Sequence, residues 1–520
     1  MYLLHQLLER SAVTHGTRTA VVDGERRITY AELEARANQL AHLLLSNGVQ
    51  RGDRIGLHLD KSIEALVGIY GALKAGAAYV PLDPQAPVAR VGYIAANCGI
   101  RVLVTASSKR SRWCDLVDAA PDIELLVVLD EPAPPADPSL AASILGTEGL
   151  DGHPSTSPDV TLIDLDLAYI LYTSGSTGEP KGVKLSHLNA LSFVNWAGDE
   201  FGISADDRLS SHAPLHFDLS VFDLFAAARS GAAVFLVPPG ASVFPAEIKR
   251  FIEAHEITVW YSVPSVLSAL VLRGGLELGC LPRLRTILFA GEVFPTKYLR
   301  QLMAALPHVR FANLYGPTET NVCTWYEVPA LADGDDSPIP IGRAITNVDC
   351  IVVGDDGRLL PPGEVGELLV RGTTVMQGYW ADPERTDRGL VANPRDAGSL
   401  DRAYRTGDLV VDEGDGVFSF LGRRDSQIKS RGYRIELGDI EAALYSHPGV
   451  LECGVVPVPD EVFTNRIKAF VVARDGLDDK QLARHCADRI PKYMIPEIWE
   501  FRDTLAKTPT GKLDRQALKT

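Results

Sequence analysis

An α/β fold in two unequal domains is the architecture this sequence predicts, and three observations carry it. Strand-like apolar runs alternate with amphipathic helical segments along most of the chain. The chain has 520 residues, too many for one ordinary core. Beyond GRRDSQIKSRGYRIELGDIEAAL (422–444), a tail of roughly a hundred residues reads as a helix, a strand pair and more helix, an α+β unit of small-domain size.

Taken in order, MYLLHQLLERSAVTHG places leucines at 3, 4, 7 and 8, the spacing of a surface helix. Its apolar part is too short and too interrupted for a signal peptide, and no stretch has the length of a membrane span. The runs AVVD (20–23), RIGLHL (54–59), RVLVTA (101–106), ELLVVLD (124–130), AVFLVP (233–238) and RTILFAG (285–291) predict strands. Helical segments lie among them at 30–49 and 62–76, so the sheets are expected to be largely parallel. The stretch 131–160 is rich in Pro, Ser and Gly and reads as a loose surface connection.

A composition of 46% hydrophobic and 23% charged residues excludes disorder. The net charge of −16 argues against nucleic-acid and anionic-membrane binding. Seven scattered cysteines without a CxxC pair imply reduced thiols in a cytoplasmic protein.

The chemistry begins at YILYTSGSTGEPKGVKLSH (169–187). The strand-like LAYILY runs into Thr173, Ser174, Gly175, Ser176, Thr177 and Gly178. Such a loop can turn backbone N–H groups inward around an anion, with hydroxyls as further donors and Lys181 as a mobile positive charge. The plainer reading is a flexible hairpin. A P-loop is excluded, because Pro180 precedes Lys181 and Gly182 follows it, which removes the lysine–hydroxyl pair.

Further motifs follow: LKAGAAYVPLD (73–83), HFDLSVFDLF (216–225), NLYGPTET (313–320), GELLVRG (366–372), YRTGDL (404–409), GRRDSQIKSRGYRIELGDIE (422–441), PKYMIP (491–496) and TPTGKLDR (508–515). In that order, over nearly the whole chain, they resemble the adenylate-forming superfamily of acyl-CoA synthetases, luciferases and nonribosomal-peptide-synthetase adenylation domains. Singly each has a plainer reading: a core tyrosine, a surface glutamate, a turn aspartate, a loop lysine, a helix N-cap at Asp218.

The resemblance implies an N-terminal domain of layered α/β subdomains over 1–424, a mobile C-terminal domain over 426–520 and a hinge at Asp425. It implies ATP and Mg2+. The Thr173–Gly178 loop and Lys181 would hold phosphates. Tyr315 would stack on adenine, with Gly291 and Gly316 beside the nucleotide and Asn313 satisfying the adenine edge or backbone. Thr318 would donate to the α-phosphate, and Glu319 would be the hard oxygen ligand of magnesium. Asp408 would accept from the ribose hydroxyls, Arg423 would be a second ribose contact, and Arg405 would be structural. Lys512 would bridge substrate carboxylate and phosphate as charge builds at phosphorus. Gly432 would line the path of a phosphopantetheine arm, where a missing Cβ permits close approach.

Asp218 would grip an α-amino group, which argues for an amino-acid substrate. The remaining pocket positions carried over are Leu219, Phe222, Tyr261, Leu288, Ala290, Leu314, Val322 and Cys323. They are apolar, with two rings that shrink the cavity, and suit a compact aliphatic side chain. The combination resembles stand-alone L-proline-activating enzymes that feed pyrrole biosynthesis. A methylene is worth only ~1–3 kcal/mol of discrimination, so valine or another small apolar amino acid stays open. An acyl-CoA ligase is the alternative in the same fold, and Asp218 counts against it. A silent homologue would need damaged motifs, whereas Glu319, Asp408 and Lys512 are present. The sequence ends ten residues past Thr510, so the acceptor thiol is expected on a separate phosphopantetheinylated peptidyl carrier protein.

Overall fold

The computed structural model describes residues 1–506 and 518, apart from 136, 176–178, 239, 242–243, 397, 425–426 and 475–476. Among the described residues, the large N-terminal domain is built on three sheets. The first runs parallel through Thr19–Asp23, Ala233–Leu236, Arg208–Ser211, Val259–Ser262, Thr286–Ala290 and Arg310–Tyr315, with antiparallel strands at both edges. The second runs parallel through Ser143–Leu145, Leu125–Val128, Val102–Thr105, Arg54–His58, Ala78–Pro81 and Leu167–Thr173. It then continues antiparallel through Lys181–Ser186 and Gly378–Tyr379.

Helices fill the seam between these sheets. Tyr30–Ser46 starts at a capping box of Thr29 and Glu32. Ile63–Lys74 starts where the Ser62 hydroxyl accepts the Ala65 N–H, and all of its residues are buried. One core takes in both helices, Val21 and Leu209 of the first sheet, and Leu57 and Tyr169 of the second. The N-terminal helix, His5–His15, buries Leu7 and Leu8, with Leu4 just before it, against this core.

Two expectations change. The stretch 131–160 contains an edge strand, Ser143–Leu145, and a short helix, Thr147–Asp151. Ile144 pairs with Leu126, and so short an edge strand leaves little trace in a Pro/Ser/Gly-rich background. The third sheet is antiparallel rather than parallel: Val348–Val353, Val365–Gly372, Arg402–Asp412 and Leu390–Ala392, with Phe418–Arg423 on Arg402–Asp412. Val348–Val353 and Val365–Gly372 are joined by a loop, as antiparallel pairing permits, while a short helix, Pro383–Gly389, lies between Val365–Gly372 and Leu390–Ala392.

The small C-terminal domain opens with a hairpin, Gln427–Ser430 and Tyr433–Glu436. Its two turn residues, Arg431 and Gly432, have φ of 53° and 80°, the pattern of a two-residue hairpin turn. Then come the helix Leu437–Tyr445, the strands Val450–Asp460 and Thr464–Ala473, the helix Asp479–Ala487 and a parallel third strand, Ile498–Phe501. Ile435, Ile440, Val455, Val471 and Met494 form its own core. No described helix is long and apolar enough to cross a membrane.

Burial lowers the pKa of His5 to about 3. In the unfolded chain it titrates near its ordinary 6.5. As pH falls from 6.5 towards 3, the unfolded state binds a proton that the folded state refuses, so His5 costs stability over that window. His5→Leu is therefore expected to gain stability over the parent by about 1.4 kcal/mol per pH unit in mid-window. Paired melting temperatures at pH 7.5 and about 5 check this; a pH-independent difference would refute it.

Candidate active site

Both parallel sheets end at one cleft, and the loops beyond the carboxyl ends of their strands line it, as open α/β sheets dictate. Ser174 follows Leu167–Thr173, and Asp218 lies beyond Arg208–Ser211. Gly291 follows Thr286–Ala290, and Gly316 and Thr318 follow Arg310–Tyr315. All five residues face the cavity, as do Thr173, Gly432 and Arg434. Among the described residues the buried Thr173 hydroxyl has no hydrogen-bond partner, leaving a donor at the cleft.

Glu319 is the electrostatic centre. Its side chain is fully buried. Its Oε1 lies 3.1 Å from Lys181 Nζ and accepts the Tyr379 hydroxyl at 2.8 Å. Its Oε2 accepts from Arg434 Nη1 at 2.6 Å. Burial alone would raise this carboxyl, but the Arg434 and Lys181 cations outweigh it and hold the group well below the ordinary range.

Lys181 corrects the expectation of a mobile loop charge. It begins the strand Lys181–Ser186, its ammonium is buried, and it lies 4.9 Å from the centre of the Tyr379 ring. The strands on either side of the glycine loop, Leu167–Thr173 and Lys181–Ser186, are paired antiparallel. At Gly175 a Cβ would fall 2.2 Å from the Glu179 carbonyl oxygen, so only glycine fits.

Asp408 and Arg423 pair across neighbouring strands and are ion-paired. The other Asp408 oxygen accepts the Tyr315 hydroxyl. Lys429, from the C-terminal hairpin, lies 5.7 Å from the centre of the Tyr315 ring. Asn313 bonds backbone, donating to Pro340 O at 2.8 Å. Arg405 pairs with Glu367, a structural contact within the third sheet.

The second half of the cavity is apolar around one acid. The Asp218 side chain does not cap the short helix after it, so the N-cap reading gives way. Burial raises its pKa, and the Thr318 side chain beside it works in the opposite direction. Leu219, Tyr261, Ala290 and Val322 face the same space. Phe222, Leu288, Leu314 and Cys323 lie behind it in the core. The Phe222 ring meets Tyr261 edge-on at 5.6 Å, so it shapes the cavity through Tyr261.

Ser176, Thr177, Gly178, Asp425 and Lys512 lie outside the described residues. Residues not singled out from sequence include Tyr379, Lys429, Arg434 and Glu292. Lys429 and Arg434 stood inside KSRGYRIE. Glu292 follows a glycine at the carboxyl end of a parallel strand, a position that by topology alone lies at the edge of a ligand cleft.

The family described as AMP-binding enzyme matches residues 8–380, and its C-terminal domain matches 439–512. The chain is 42% identical to an L-proline--[L-prolyl-carrier protein] ligase of Pseudomonas fluorescens, over 100% of this chain and 99% of that protein. It is 39% identical to the ligase of the same name from Streptomyces coelicolor, over 98% of this chain and 94% of that one. Among solved structures, the Vibrio cholerae adenylation domain AlmE, in complex with glycyl-adenosine-5'-phosphate, aligns with a TM-score of 0.86 at 26% identity, covering 100% of this chain and 97% of that one. Motif order, cleft geometry and full-length likeness agree, and the chain belongs to the AMP-binding enzyme family.

Proposed function

We propose that this protein is a ligase that activates L-proline with ATP and passes it to a carrier protein. The proline carboxylate attacks the α-phosphorus, forming prolyl-AMP as the bond to pyrophosphate breaks. The phosphopantetheine thiol of a separate peptidyl carrier protein then attacks the prolyl carbonyl, and the bond to AMP breaks. The observation that carries this is full-length likeness to two L-proline--[L-prolyl-carrier protein] ligases. The apolar half of the cavity, where Asp218 stands among Leu219, Tyr261, Ala290 and Val322, suits a small apolar amino acid with a charged amine.

The site divides accordingly. Thr173, Ser174 and the glycine loop take the phosphates, with Lys181 fixed on Glu319 beside them, and Tyr315, Asp408 and Arg423 take the nucleoside. Asp218 takes the substrate ammonium, with Leu219, Tyr261, Ala290 and Val322 around the ring. Glu319, a buried and ionised carboxylate, suits Mg2+, which takes one or two carboxylates with phosphate oxygens. Among the described residues no cluster of three or more ligands exists, so phosphates and water would complete its shell. When bound, the ion supplies charge neutralisation at the phosphates.

We place the division of the chain at Asp425, with 1–424 and 426–520 rotating about it. The arrangement described here, with the hairpin Gln427–Glu436 in the cleft and Arg434 on Glu319, is the pose we assign to thiol transfer. In the other pose Lys512 would serve adenylation. Seven free cysteines support a cytoplasmic setting. Pyrophosphate exchange across an amino-acid panel tests the reading. Proline is expected to lead, ahead of valine and alanine; exchange driven by an aryl or fatty acid would sink it. Loading that coenzyme A supports as well as a carrier protein would favour an acyl-CoA ligase instead.

A further inference from the structure

Glu292 is buried, and its two carboxylate oxygens serve two domains. Oε2 accepts the Ser265 N–H at 3.0 Å, in the first turn of the N-terminal domain's helix Pro264–Arg273. Oε1 accepts the Gly432 N–H at 2.7 Å, at the turn of the C-terminal hairpin. Gly432 lies so close to that helix that a Cβ would fall 2.4 Å from Val263 Cγ1. The same hairpin makes two further bonds to the cleft: Ser174 Oγ donates to Arg434 O at 2.7 Å, and Arg434 pairs with Glu319. Those two partners already have roles with the nucleotide. Glu292 has none, and it does not line the cavity.

We propose that Glu292 is a positioning residue for the transfer step, a two-ended clamp that holds the Gly432 turn on the helix Pro264–Arg273. The inference rests on the two-step ligase reading. A carboxylate placed this way discriminates between poses. With the hairpin docked, both oxygens have peptide donors; with it withdrawn, Oε1 loses its peptide donor. A hydrogen bond to a charged group is strong enough to shift the balance between poses by about tenfold to a hundredfold. Ser265 N–H is bonded in either pose, because donor and acceptor share the N-terminal domain. Helix capping alone therefore gives Glu292 no reason to meet Gly432.

The test uses Glu292→Ala and Glu292→Gln in the full chain. Proline-dependent pyrophosphate exchange is expected to stay within about twofold of the parent, since adenylation uses the other pose. Single-turnover transfer from preformed prolyl-AMP to carrier protein is expected to fall about tenfold or more in Glu292→Ala. Glu292→Gln should recover part of it, because its amide oxygen still accepts one N–H. Unchanged transfer in Glu292→Ala would overturn the proposal. So would exchange and transfer falling together with the melting temperature, the signature of helix capping alone. Amide hydrogen exchange over 427–436 reads the clamp without substrate: protection at Gly432 should drop in Glu292→Ala, and unchanged protection also overturns it. If proline fails to drive exchange in the parent while that protection difference holds, the ligase reading fails and the clamp stands.

Discussion

Asp218→Asn is expected to raise KM for proline by about a hundredfold to several thousandfold, the scale of about 3–5 kcal/mol for removing one partner of a buried charge pair. The substrate's ammonium must leave water to enter the apolar half of the cavity, and the Asp218 carboxylate is its compensation there. Asparagine keeps the shape and still offers an oxygen to the Thr318 hydroxyl, so the loss is one of charge. Stability should not fall. Burial raises the Asp218 pKa, so the ionised group is held at a cost in the free protein, and the amide removes that cost. Pyrophosphate exchange against proline concentration, with a melting curve alongside, checks both halves. Near-parental KM would remove Asp218 from the substrate site, and a collapse in melting temperature would make its role structural.

Lys512→Ala is expected to slow prolyl-AMP formation by about a hundredfold to a thousandfold, the cost of deleting one preorganised donor to transition-state charge. The effect should be confined to the first step. Transfer from preformed prolyl-AMP to a carrier protein should proceed near the parental rate, because the pose assigned to transfer does not use Lys512. Lys181 cannot substitute for the missing cation: it is buried in a strand and committed to Glu319. Rapid-quench measurement of adenylate, with transfer measured separately, decides it. Adenylate formed at the parental rate would end the catalytic assignment, and equal losses in both steps would end the division between poses.

The two parallel sheets were legible because buried strands and amphipathic helices write their periods into the chain, as in RVLVTA and YAELEARANQLAHLLLS. The third sheet was not, because its antiparallel strands carry mixed burial patterns. The same division runs through the site. Residue types and their order marked Asp218, Glu319, Asp408 and the glycine loop, since each stands in a short contiguous motif.

By itself, then, the sequence determined which chemical groups the protein carries and that α/β layers would hold them. Tertiary structure decided who meets whom. It turned Lys181 from a loop charge into a fixed partner of Glu319, set Phe222 behind Tyr261, and brought Glu292 to Gly432. The reason is physical. Helix and strand periodicity is a property of neighbours along the chain. A carboxylate's choice of donor depends on which loops the strand crossovers and the domain pose bring within 3 Å, and Glu292 and Gly432 stand 140 residues apart.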